Sequence, residues 1–208
     1  GAPAIGVLDI SNGASIEQDV KSICYPIFDN TQGGVRCIAK LGEDNFWFTD
    51  VLSLELGDRV QKGVALHDID NNGSDDIVFG TDSDQIHFYS TTYGAGYTTF
   101  EVGDKIRSAP IIIKFNNNEF LVIAGSKDDN LYAFNPILDT EQFVYETGGD
   151  VHSPSVFEHN QHGPVIVFGS DDGYLYMVDT NGNDIPGWPQ YLEGQVEGSA
   201  AISDLDGD

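Results

Sequence analysis

The chain has 208 residues, 40% of them apolar and 11% aromatic, which excludes a disordered segment and leaves ample side chains for a core. Lys and Arg number 9 against 34 Asp and Glu, a formal charge of -25. That balance argues against nucleic acid and anionic membranes, because phosphate contacts need Lys and Arg, and no apolar run approaches the length of a membrane-spanning helix.

In chain order, Ala4-Ile5-Gly6-Val7-Leu8-Asp9-Ile10 reads as an opening strand. Residues 16–28 hold a long second strand region, and Val35-Arg36-Cys37-Ile38-Ala39-Lys40 reads as a third strand. Cys24 and Cys37 flank a turn centred near Asn30-Thr31, so the two face each other across a hairpin. A cross-strand disulfide and a pair of small buried thiols both fit this placement. Phe46-Trp47-Phe48 stands where Gly187-Trp188-Pro189 stands in the last unit.

From Gly63 onward the pattern is regular. A small, apolar opening strand recurs at 63–66, 109–113, 153–157 and 199–202. A β-branched run follows at 77–79, 121–123 and 165–168. Then comes a repeated phrase: Gly80-Thr81-Asp82-Ser83-Asp84-Gln85-Ile86-His87-Phe88-Tyr89, Gly125-Ser126-Lys127-Asp128-Asp129-Asn130-Leu131-Tyr132-Ala133-Phe134, and Gly169-Ser170-Asp171-Asp172-Gly173-Tyr174-Leu175-Tyr176-Met177-Val178. Its second half alternates with period two, as a strand does. A less regular fourth strand lies at 97–102, 142–145 and 188–192. The leading glycines are 45 and 44 residues apart. A period in that range, built on strand text, predicts an all-β fold, a β-propeller of four-stranded antiparallel blades. The blades fall at about 1–60, 61–107, 108–152 and 153–198, and 199–208 begins a further one, so the array reads as partial: four blades plus one strand.

Asp68-Ile69-Asp70-Asn71-Asn72-Gly73-Ser74-Asp75-Asp76 carries specific chemistry. Asp68, Asp70, Asn72 and Asp76 place oxygen side chains at loop positions one, three, five and nine; Gly73 permits the sharp turn, and the Ser74 carbonyl is free to point inward. Ca²⁺ takes six to eight oxygen ligands, and this spacing wraps them around one point. Position twelve is Phe79 rather than Glu and the flanks are strands, so this is no EF-hand. The alternative is a metal-free turn, since Asp, Asn and Gly favour turns in any case. Asp204, Asp206 and Asp208 repeat the motif in shortened form. The matching positions elsewhere are Lys114, Asn116 and Asn118, then Glu158, Asn160 and His162, then Asp9, Ser11 and Asn12; only the Glu158 set retains weak metal character. Most of the acidic excess reads as solvated surface.

The loop at 68–80 and the segment 199–208 resemble the FG-GAP/VCBS repeats, which also occur in integrin α-type propellers. The repeated phrase, with Gly187-Trp188-Pro189, resembles quinoprotein-like propeller repeats. The resemblance implies Ca²⁺ in loops between the first two strands of a blade and an extracellular, cell-surface or periplasmic setting. It implies a role in adhesion or ligand binding, with a protein or glycan partner and further blades of the parent protein alongside. The leading reading is therefore a non-enzymatic, calcium-binding scaffold. A carbohydrate-binding or carbohydrate-active propeller is the alternative, and a quinoprotein-like enzyme a more distant one, because Arg occurs only at 36, 59 and 107. Trp47 and Trp188 read as packing, and no catalytic set is identifiable among the five His and many acids.

Overall fold

The structure is a computed structural model and describes residues 4–8, 20–28, 33–40, 48–90, 97–115 and 119–203. All regular structure among these residues is strand. The first sheet comprises β1 (Ala4–Leu8), β2 (Val20–Phe28), β3 (Gly33–Lys40) and β4 (Phe48–Glu55). The second comprises β5 (Val64–His67), β6 (Asp76–Gly80), β7 (Gln85–Tyr89) and β8 (Tyr97–Glu101). The third holds β9 (Ile111–Phe115), β10 (Glu119–Gly125), β11 (Asn130–Asn135) and β12 (Thr140–Glu146). The fourth holds β13 (Ser155–His159), β14 (Gly163–Gly169), β15 (Tyr174–Asp179) and β16 (Gln190–Tyr191). Each sheet is an antiparallel meander in which sequence neighbours pair. The first strands, β1, β5, β9 and β13, neighbour one another in succession and mark the inner edge of the stack.

Period-two alternation explains how the sheets stack. Ile77 and Phe79 of β6 pack toward the first sheet, against Cys24, Val35, Cys37 and Leu54. Val78, Ile86 and Phe88 point the other way, against Phe120, Val122, Ala124 and Phe134 of the third sheet. Leu121, Ile123, Leu131 and Ala133 then meet Ile166, Phe168, Tyr176 and Val178 of the fourth. Each central strand is thus apolar on both faces, as β6 shows by being buried at every position. Third-strand Phe88, Phe134 and Tyr176 are core, and Tyr145 of β12 sits edge-on to both Phe168 and Tyr176, at 5.5 Å from each.

The repeated phrase is legible in these contacts. Its glycine is needed because the linker that leaves for the next sheet crosses it: a Cβ on Gly80 would lie 1.9 Å from Ile106 Cγ2, and one on Gly125 2.7 Å from Val151 Cγ1. Gly169 meets Val196 in the same way, at 2.5 Å. The next residue is a buried hydroxyl: Ser126 Oγ donates to the Asp104 carbonyl and Ser170 Oγ to the Gly149 carbonyl, tying linker to turn. Asp128 and Asp172 complete the tie. Asp128 Oδ2 accepts from Gly103 N–H and from Tyr132 Oη, each at 2.6 Å; Asp172 Oδ2 accepts from Gly148 N–H at 2.8 Å and Tyr176 Oη at 2.6 Å. Burial works against the Asp172 charge, yet the hydrogen bonds from Tyr176, Gly148 and Tyr174 hold its pKa below the usual carboxylate value. Burial and the neighbouring Asp128 carboxylate push the Tyr132 phenol up to about 12.

The fifth position of the phrase adopts the left-handed conformation: φ is 61° at Asp84, 70° at Asp129 and 90° at Gly173. Only glycine takes that conformation without steric cost. Asp129→Gly is therefore expected to stabilise the chain by ~0.5 kcal/mol, the relief of strain exceeding the added freedom of the unfolded chain. Urea denaturation measures it, and a loss of stability would show that the Asp129 side chain matters more than its backbone.

One expectation changes. The fourth strand of the last sheet was expected over 188–192, but only Gln190–Tyr191 pair with β15. The chain instead turns back after β15, with Asp179 N–H bonded to the Asn183 carbonyl and Ile185 N–H to the Met177 carbonyl. Pro186 and Pro189 lack the N–H groups that a ladder needs. Ile185 and Trp188 fold onto Val165, Val167 and Met177. The cysteines stand as their placement predicts, Cys24 and Cys37 being direct cross-strand partners with a Cα separation of 4.1 Å, and of the two states that fit that placement the structure has the bridge.

Candidate metal centre

Residues 68–75 connect β5 to β6, and Asp76 is the first residue of β6. The connection is pinned by Ile69, which is 1% exposed and sits in the core between the second and third sheets. With Ile69 anchored, its neighbours Asp68 and Asp70 are held over the same turn. Asn71 (φ 59°) and Gly73 (φ 92°) supply the left-handed residues that curl the backbone. The curled N–H groups then bond inward. Asp68 accepts from Asn72 N–H on Oδ1 and from Gly73 N–H on Oδ2, both at 2.9 Å. Asp70 Oδ1 accepts from Asn72 N–H at 3.2 Å, and Asp76 Oδ2 from Ile69 N–H at 3.0 Å.

This folding brings Asp68, Asp70 and Asp76 together: one carboxylate oxygen from each lies within 4.8 Å of the others. Asn72 uses its side-chain Oδ1 to accept from Ser74 N–H at 2.8 Å. Ser74 is buried. Asp76 is the critical member. It is fully buried, and its Oδ1 has no hydrogen-bond partner. Burial pushes its carboxyl up to about 6; the Asp70 charge adds to the rise, and the Ile69 N–H opposes it. A buried carboxylate oxygen without a donor is costly, and a divalent cation between three carboxylates removes that cost. The donor set is all oxygen, which suits a hard cation such as Ca²⁺ or Mg²⁺ rather than a thiophilic metal.

Sequence reading missed Ser90. Its hydroxyl donates to Asp70 Oδ2 at 3.3 Å, and it also favours the charged form of Asp76. The signal lay in the register: Ile77 pairs with Tyr89, so residue 90 stands across from residue 76.

Among the described residues, the other candidate positions do not assemble. Asp204, Asp206 and Asp208 lie outside the described residues, as do Asp9, Ser11, Asn12, Asn116 and Asn118. Lys114 is exposed at the end of β9. Glu158, Asn160 and His162 are exposed around a connection of only three residues between β13 and β14, too short to wrap an ion. There the His159 and His162 rings lie 4.8 Å apart, but His159 Nδ1 already accepts from Gln161 N–H. Among the described residues, the Asp68, Asp70 and Asp76 cluster is the one group of three or more such side chains within reach of a common ion.

No family model matches the chain, and no curated protein matches it. Among solved structures it is similar to the crystal structure of BBS1N in complex with ARL6DN, soaked with mercury. The TM-score is 0.56 at 12% identity, over 92% of this chain and 56% of that one. The chain thus spans little more than half the length of that structure. BBS1N is a β-propeller, and the likeness, together with four stacked four-stranded sheets, shows that this chain has a β-propeller type of fold.

Proposed function

We propose that the chain is a calcium-binding propeller region of a secreted or cell-surface protein, acting in adhesion or ligand binding or as a scaffold. The observation that carries the metal is the buried Asp76 carboxylate, which has an orphan Oδ1 and lies within a common ion's reach of Asp68 and Asp70. Asp68, Asp70 and Asp76 hold the ion, with Asn72 and the Ser74 carbonyl as the further oxygens of the loop, in the manner of FG-GAP/VCBS repeats. The ion's role is structural: it closes a loop that joins two strands of one sheet. The Cys24–Cys37 bridge supports an oxidising, extracytoplasmic compartment. The BBS1N structure is a complex with ARL6DN, an instance of a related fold used to hold a protein.

Further blades belong to the same reading. Val196 N–H bonds to the Ser170 carbonyl as Ile106 N–H does to Thr81 and Val151 N–H to Ser126. Ser155 Oγ then donates to the Ala200 carbonyl across the inner edge. Residues 196–203 therefore follow the course that leads into β9 and β13, the path into a further sheet.

Titration calorimetry with Ca²⁺ on stripped protein tests the reading. One site per described loop is expected, lost in Asp70→Ala; no heat of binding in the wild type rejects calcium. A carbohydrate-binding role has one observation in its favour, the exposed Tyr174–Tyr191 pair with ring centroids 5.1 Å apart, and a glycan array decides it.

A further inference from the structure

We infer that Ser90 is a positioning residue of the metal centre, supplied from outside the loop that carries the carboxylates. The inference rests on the calcium reading above and names a part of the site that the loop motif does not contain.

Three observations converge. Ser90 is 5% exposed, so its hydroxyl is withdrawn from water, and it donates to Asp70 Oδ2. It stands across the β6–β7 pairing from Asp76, one step beyond the Ile77–Tyr89 pair, and so lies beside both the buried Asp76 and the exposed Asp70. The third is an internal comparison. Counting from Gly80, Gly125 and Gly169, Ser90 corresponds to Asn135 and Asp179. In those two sheets, which have no carboxylate cluster among the described residues, the same position folds back on its own turn. Asn135 Oδ1 accepts from Ile137 and Leu138 N–H, and Asp179 Oδ1 from Asn181 and Asn183 N–H. Among the described residues, only in the sheet with the acidic loop does the residue at this position reach across to the loop between the first two strands.

The chemistry follows from Asp70. Asp70 is exposed, and a carboxylate on an exposed loop samples several rotamers. Asn72 N–H holds its Oδ1 and Ser90 holds its Oδ2, which fixes the carboxylate plane toward Asp68 and Asp76 before the ion arrives. A hydroxyl suits the task, because it donates to a carboxylate without adding charge to a site that already holds three. Outer-shell groups of this kind typically alter metal affinity by 10–100-fold.

The test is Ca²⁺ calorimetry on wild type and Ser90→Ala, with thermal melts of both in chelator. Ser90→Ala is expected to weaken Ca²⁺ about tenfold while melting within about 2 °C of wild type in chelator. Equal Ca²⁺ affinity in the two proteins overturns the role of Ser90 and leaves the metal centre standing. A melting temperature that falls as far in chelator as in calcium also overturns it, since the hydroxyl would then be a fold contact only. A wild type that binds no Ca²⁺ overturns the calcium reading itself, and this inference with it.

Discussion

Calcium at a hundredfold excess over its dissociation constant should raise the melting temperature of stripped protein by about 5–10 °C. A ligand that binds only the folded state at that excess contributes ~2.7 kcal/mol, and a domain of this size shifts by about 2–4 °C per kcal/mol. Asp70→Ala should remove the response while leaving the chelated melt nearly unchanged, because Asp70 is exposed. Asp76→Asn should behave differently. The amide oxygen still accepts from Ile69 N–H, the buried charge is gone, and an amide group replaces the carboxylate with the orphan Oδ1 in a cluster that keeps the other two carboxylates. That variant should melt higher than wild type in chelator, by about 2–4 °C for each kcal/mol of relieved burial cost, and show no calcium response. Identical melts of the wild type in calcium and in chelator would reduce the loop to a turn.

The different melts expected of the Asp70 and Asp76 variants in chelator show what a sequence holds and what it withholds. The spacing of Asp68, Asp70, Asn72 and Asp76 is visible in the text, because a loop that closes on itself is a local object. Burial is not local. Asp76 is buried because β6 lies between two neighbouring sheets, and that depends on Leu54, Val64 and Phe120 as much as on the loop. Ser90 is hidden for the same reason, its partner being twenty residues away across a pairing. The repeated phrase was legible as strand and turn, since alternation and glycine spacing are properties of short windows. Its chemistry was not: the glycine answers to Ile106, Val151 or Val196, and the hydroxyl to a linker carbonyl. Local pattern also drew the last strand too long, where Ile185 folds back to pair with Met177 before Gln190 resumes the ladder.

Removing the bridge in the double variant Cys24→Ala/Cys37→Ala should cost ~3 kcal/mol and lower the melting temperature by about 6–12 °C. The two cysteines are 13 residues apart, and closing a loop of that order restricts the unfolded chain by about this amount. Their Cα separation of 4.1 Å is that of a close cross-strand pair, which orients the two side chains toward each other. The bridge also lies in a packed interface. Both cysteines are fully buried among Val35, Leu54, Val60, Val64, Ile77 and Phe79, where the first sheet meets the second. Replacing them by alanine therefore loosens the β2–β3 hairpin and the surface that docks on β6. Since β6 begins at Asp76, the metal loop and the bridge approach the same strand from its two faces. The two losses should then couple: the calcium-induced rise in the double variant should fall below that of wild type if docking of the first sheet holds Asp76 in place. Native protein treated with an alkylating reagent should gain no mass without reductant and two adducts once unfolded and reduced. A double variant that melts within 1 °C of wild type, by the same conversion of about 2–4 °C per kcal/mol, would show that the bridge adds nothing to the hairpin that its packing has not already supplied.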